Sequence, residues 1–355
     1  MSPSALVETI RLQGQGFAAL GCPFYGSLGE ELALDVERDG PVARVLAPYG
    51  EEPFEAAYVL RLFGGVHRMV LGGDAPEVAA HFPSVDGDGD ARAAIAAMRE
   101  LLRVPPPVVL DAMTRPPQTN EVGRSVALLS GLLVLAHELR LPLRLREMGT
   151  SAGLNLRLDS YRYSQGASGW GRDDSPVRFV DVWSGGAPPF TAPIEVLDRR
   201  GCDRDPIDAT TADGALTLLS YVWPEPRERF TRARDAIALA ADLPVEIDRA
   251  DVIDWLPAQL AEPRQPGAAL VIFHSVFWQY LPPETQSALR GLLEAAGAAA
   301  TPDAPLAWLR LEPHADNYVP AELRCTIWNG GDVPRERLLA TTGFHGGPIA
   351  WLGGA

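Results

Sequence analysis

The sequence predicts a mixed α/β protein, with a helical domain over residues 1–140 followed by a seven-stranded α/β domain over 141–355. Residues up to about 140 show helical spacing of apolar positions, broken by Pro and Gly. From Leu141 onward, short β-type runs alternate with helical stretches, the pattern of a parallel sheet covered on both faces. At the start of that alternation lies a strand ending in an acid, then a tight turn of small residues, then a helix start.

In the first domain, Ala91–Leu102 places Ile95, Met98 and Leu102 on one helical face, and Pro105, Pro106 and Pro107 end that helix. A second helix is expected over Asn120–Leu139, opened by Thr119-Asn120 with Glu121 in its first turn. The expected strands are Leu143–Met148, Ile194–Cys202, Val245–Ala250, Ala269–His274, Leu306–Leu311, Leu323–Trp328 and Gly347–Leu352. Helices are expected between them over 151–163, 224–241 and 284–299. No helix is evident between the last two strands, which predicts an antiparallel closing pair. Residues 164–193 read as a surface excursion with a short strand pair at Val177–Val182.

Composition narrows the chemistry. The chain is 46% apolar and 22% charged, as in an ordinary globular protein. A net charge of −15 opposes a phosphate backbone, so a small molecule is the expected partner rather than nucleic acid. All 31 basic side chains counted as Lys+Arg are arginines. A Schiff-base lysine, and with it pyridoxal phosphate, is therefore excluded, as is a lysine-bearing Walker A loop. Cys22, Cys202 and Cys325 are too scattered for a disulfide framework or metal knuckle, which predicts a reduced, cytoplasmic setting. Met1–Phe17 does not read as a signal peptide. The longest apolar run, Ser125–Ala136, is too short to span a bilayer and reads as a buried helix.

The most informative segment is Leu143–Leu156. Its glycines allow a sharp turn and close approach to the backbone, and the N–H groups of a new helix would face a ligand. Glu147-x-Gly149-x-Ser151-x-Gly153 resembles the cofactor loop of class I methyltransferases, with Ser151 at the usual middle glycine. That resemblance implies a Rossmann-like, seven-stranded methyltransferase-type sheet, S-adenosylmethionine as cofactor, and a small methyl acceptor. The same five residues, Gly149–Gly153, also match the G-x-S-x-G nucleophile elbow of serine hydrolases, with His314 or His345 late in the chain. A ligand-free βα turn is the third possibility. Order along the chain favours the first, because an elbow needs several strands before it and here the preceding residues read as helical.

Further candidates lie at the ends of the later strands. Asp203 follows the second strand, where a carboxylate accepts ribose hydroxyls, with Asp198 as the fallback. Asp251 follows the third strand and suits either an adenine amino group or a helix N-cap. His274 ends the fourth strand as a candidate general base, or else a structural histidine. Glu312, after the fifth, is a second candidate proton acceptor. Gln118, Asn120 and Arg124 cluster at the start of the helix over Asn120–Leu139, where they cap it or cover a cofactor, Arg124 gripping a carboxylate. Asn155 belongs to the turn segment itself. Asp86, Asp88 and Asp90 mimic a calcium loop, but Ala91 and Ala97 stand where it needs glycine and glutamate. His137-Glu138 misses the zinc motif because Leu141 replaces its second histidine.

Gln118-Thr119-Asn120-Glu121, the Glu147–Leu156 segment, Arg200–Asp203 with Pro206-Ile207-Asp208, Tyr221–Pro224 and His274-Ser275 together resemble a bacterial family defined as a domain of unknown function. The resemblance covers most of the length and implies no reaction. It implies that Gln118, Asn120, Arg124, Trp223 and His274 share one site around the glycine turn. Two other functions fit the same segment: a serine esterase acting through Ser151, and a non-catalytic module binding a nucleotide or metabolite.

Overall fold

The computed structural model describes residues 3–353 except 51, 54, 55, 315–319 and 332. The chain forms two compact units, Met1–Thr119 with Ala209–Arg234, and Asn120–Asp208 with Asp235–Ala355.

The first unit is helical. It holds α1 (Pro3–Ala19), α2 (Pro23–Glu37), α3 (Pro41–Leu46), α4 (Tyr58–Gly72), α5 (Pro76–Ala79), α6 (Ala91–Leu101) and α7 (Pro107–Met113). After α8 (Ser125–Leu139), which belongs to the second unit, come α9 (Ala212–Ser220) and α10 (Arg227–Ala240). Proline opens α2, α3, α5 and α7, where its missing N–H has no intrahelical partner to lose. Asp90 accepts from the backbone N–H of Arg92 and Ala93, so it serves as the N-cap of α6. Tyr25, Leu28, Leu32, Tyr58, Phe63 and Phe82 fill the core.

The second unit carries a nine-stranded sheet built from β1 (Leu143–Met148), β5 (Trp183–Ser184), β6 (Val196–Asp203), β7 (Glu246–Arg249), β8 (Ala269–Ser275), β9 (Leu306–Pro313), β10 (Ala321–Trp328), β11 (Arg335–Thr342) and β12 (Ile349–Trp351). A separate three-stranded sheet holds β2 (Arg162–Gln165), β3 (Ser168–Gly171) and β4 (Arg178–Val180). The large sheet has the order β5-β12-β11-β10-β9-β8-β1-β6-β7. β7, β6, β1, β8 and β9 are parallel neighbours, whereas β9 to β12 form an antiparallel meander. From β1 the chain builds first toward β6 and β7, then returns to place β8 and β9 on the opposite side.

All seven expected strands exist, but the sheet is not a seven-stranded methyltransferase-type sheet. β11 lies between the two strands expected to close as a pair. It opens with Arg335-Glu336-Arg337, whose charge masks a strand on hydropathy alone. The strands near Val177–Val182 do not pair with each other: β4 joins β2, and β5 joins β12.

The helix expected over 151–163 is also absent, replaced by a 3-10 segment at Asn155–Ser160 leading into β2. Side chains satisfy the carbonyls that helical N–H groups would otherwise take. Arg157 donates to Ala152 O and Gly153 O, Tyr161 Oη to Leu154 O, and Tyr163 Oη to Leu158 O.

Strand alternation sends Leu309 and Trp308 to opposite faces of β9. Leu309 meets α8 at Gly131, where a Cβ would collide with it. Trp308 packs in a cluster with Leu289 and Leu293 of α12 (Pro283–Ala298) and with Trp255 and Leu256 of α11 (Val252–Ala261). Ser125–Ala136 of α8 is buried throughout. Because α8 packs on β9, β10 and β11, the division near residue 140 moves to 119/120.

Candidate functional site

At the end of β1, three residues take left-handed backbone conformations: Gly149 (φ 68°), Ser151 (φ 53°) and Gly153 (φ 70°). Ser151 thus adopts the conformation a glycine would supply more cheaply. Its backbone N–H donates to Asp203 Oδ2 at 2.8 Å, and Asp203 Oδ1 accepts from Asp205 N at 2.9 Å. The glycines are also required by packing. A Cβ on Gly149 would strike the Phe277 ring, and one on Gly153 would press on Val245 and Ile247.

Glu147 is buried beneath this turn and accepts a hydrogen bond from Thr150 Oγ1. Burial pushes its carboxyl up to about 8. The Thr150 hydroxyl, Arg124 and Arg157 oppose the shift, and Asp203 adds to it. Burial thus favours the neutral acid over a fixed negative charge at the end of β1.

The segment before α8 supports the turn. Asn120 Oδ1 accepts from Leu154 N at 2.9 Å, and Asn155 Nδ2 donates to Glu121 O at 3.4 Å. The capping role falls to Glu121, whose side chain accepts from Gly123 N. Arg124 is buried, with Nε donating to Phe344 O and Nη1 to Ser275 O. It therefore ties the end of β8 to the loop before β12.

Backbone strain marks that end of β8. Val276 has φ 48°, an outlier for a β-branched residue, of the kind that concentrates at functional sites.

His274 is fully buried and stacks on Trp278, with ring centroids 5.2 Å apart. Its Nδ1 lies 2.6 Å from Glu312 Oε1 and its Nε2 lies 3.1 Å from Trp308 Nε1. An indole N–H only donates, so Nε2 accepts and Nδ1 carries the proton shared with Glu312. With both nitrogens engaged, His274 does not reach a substrate, which corrects the general-base expectation. Glu312, also held by Phe277 N at 3.0 Å, is the group that lines a cavity of ≈ 270 Å³ with Trp278, Arg290, Trp308, Arg310 and Arg324.

Other expected residues settle elsewhere. Asp251 caps α11 through Ile253 N and pairs with Arg204. Asp198 pairs with Arg144 and Arg146 near the start of β1. Gln118 and Trp223 belong to the first unit, where Trp223 is a core residue against Phe17 with Arg229 4.8 Å over its ring. Thus Asn120, Asn155, Asp203 and the turn form one cluster, while His274 and Glu312 form a second at the ends of β8 and β9. Sequence reasoning missed Thr150, Trp308, Arg290, Arg310 and Arg324. The signal for three of them is alternation, Trp308-x-Arg310-x-Glu312 facing Glu322-x-Arg324-x-Thr326 in register.

No curated protein and no solved structure matches the chain. A family model does, over residues 7–351, so the chain is a member of a family described as uncharacterized protein conserved in bacteria (DUF2332).

Proposed function

We propose that the second unit binds S-adenosylmethionine beside the β1 turn and directs its methyl group to a small acceptor. The observation that carries this is the reversal of sheet order at β1, with β6 and β7 on one side and β8 and β9 on the other. Open α/β sheets bind ligands at the carboxyl ends of strands beside such a switch point. The left-handed turn with Ser151 in a glycine conformation and the carboxylate of Asp203 stand at that edge.

In this function Asp203 keeps unused lone pairs for ribose hydroxyls while holding Ser151. Asn120 and Asn155 fix the far side of the turn. Asp251 contributes only as the cap of α11. The cofactor supplies an electrophilic methyl group; the protein aligns the acceptor, and Glu312 takes the acceptor's proton. Chemistry through Ser151 as a nucleophile is disfavoured, because the strand-turn-helix context of an elbow is missing after β1.

Calorimetric titration with S-adenosylmethionine and S-adenosylhomocysteine tests this, with Gly153→Arg as the control. Binding lost in the control supports the function. A folded sample that binds neither ligand rejects it, and labelling of wild type but not Ser151→Ala by a covalent serine probe would assign acyl transfer instead.

A further inference from the structure

The protein carries a net charge of −15, yet the cavity along β9, β10 and α12 is lined by Arg290, Arg310 and Arg324 against two carboxylates, Glu312 and Glu322. Most of these charges are already matched. Arg310 bonds Thr326 and Glu336, and Arg324 bonds Glu322 and Glu336. Among the described lining residues, Arg290 and Glu312 keep capacity for a ligand. Arg290 is exposed on α12, makes no ion pair among the described residues, and lies 5.3 Å over the Trp308 ring and 5.9 Å over Trp278. Glu312 accepts from His274 on Oε1 and from Phe277 N on both oxygens, at 3.0 and 3.3 Å, which leaves acceptor capacity on Oε2.

The wall between them is aromatic: half-buried Trp278, backed by the stacked His274 ring, lies 5.4 Å from buried Trp308, whose ring Arg310 covers at 4.2 Å. A volume of ≈ 270 Å³ falls just below the roughly 300–1,000 Å³ of sites for drug-sized ligands. One ring with small substituents therefore fits.

We propose that this cavity binds a flat aromatic acid bearing a protic group, its carboxylate on Arg290 and its hydroxyl or amino group at Glu312. A guanidinium matches a carboxylate bidentately, the half-buried Trp278 indole meets a planar ring, and Glu312 accepts the remaining proton. The Trp308–His274–Glu312 chain makes His274 a positioning residue: it orients the carboxylate and is shielded from the ligand. As the acceptor pocket, this site depends on the methyl transfer proposed above; as a binding site it stands without it.

The test is titration of the full chain with 4-hydroxybenzoate, 4-hydroxybenzamide and benzoate, followed by ligand-observed magnetic resonance in the absence of any cofactor. The expected order is 4-hydroxybenzoate tightest, with the uncharged amide and benzoate each weaker by roughly tenfold, the scale of one lost charge-assisted hydrogen bond. Arg290→Gln should weaken 4-hydroxybenzoate to the level of the amide, and Arg290→Lys should restore part of the loss, since the fork is lost but the charge kept. Arg290 is exposed and makes no ion pair among the described residues, so neither variant should disturb folding. Absence of saturable binding to the folded wild type overturns the proposal, as does equal affinity for acid and amide or an unchanged Arg290→Gln. Failure of cofactor binding alone removes the acceptor role and leaves this binding result intact.

Discussion

Glu147 has the most testable titration in the molecule. Its folded pKa, raised to about 8, exceeds the unfolded value of about 4.3. Between those values the native state holds a proton that the unfolded chain has lost, so stability falls as pH rises. In urea unfolding, the wild-type midpoint should decline from about pH 5 to pH 8. Glu147→Gln should flatten that decline and be the more stable protein at the alkaline end. An equal slope in both proteins would show that Glu147 does not titrate in this window. Ser151→Gly should be neutral or stabilising by under ~1 kcal/mol, because glycine takes φ 53° without the Cβ cost. His274→Phe should cost roughly 2–4 kcal/mol, since it leaves the Trp308 indole N–H and Glu312 without their buried partner. These effects follow from partners that the sequence does not name. Glu147 is legible in sequence as an acid at a strand end, but its proton comes from burial.

At the scale of elements, strands with an apolar alternation were legible and polar or short ones were not. β1 is predicted to the residue, while β11 hides behind its charged opening. The missing helix after the turn is the more instructive case. Leu154, Leu156 and Leu158 are all buried, so the segment lacks a single apolar helical face, and the Arg157 guanidinium supplies donors that helix geometry would need from the backbone. Asp251, equally suited on sequence to ligand or cap, is a cap. Asp251→Ala should therefore cost about 1 kcal/mol, and Asp251→Asn, also a good N-cap, should cost little. Cofactor titration of Asp251→Asn separates the two roles: unchanged affinity fits the cap, and a large loss would return the residue to the binding site.

For the whole molecule, the division of the chain determines which fragments fold. Residues 209–234 belong with the first unit, where Trp223 lies in the core against Phe17. A fragment starting at 141 would lack α8, leaving the faces of β9, β10 and β11 beneath it open. Such a fragment should fail to give a cooperative unfolding transition by circular dichroism; a sharp one would show that α8 is dispensable to the sheet.

The sequence by itself determined the α/β class, the sequence span of β1, the turn with its three special positions, and the burial of Ser125–Ala136. Each is written in local spacing, glycine placement or an unbroken apolar run. Only the tertiary structure decided that His274 is sealed between Trp308 and Glu312, that Asp203 braces Ser151, and that Arg290 stands over two indoles. Those pairs lie many residues apart, and sheet register, with alternating side chains sent to opposite faces, is what brings them together.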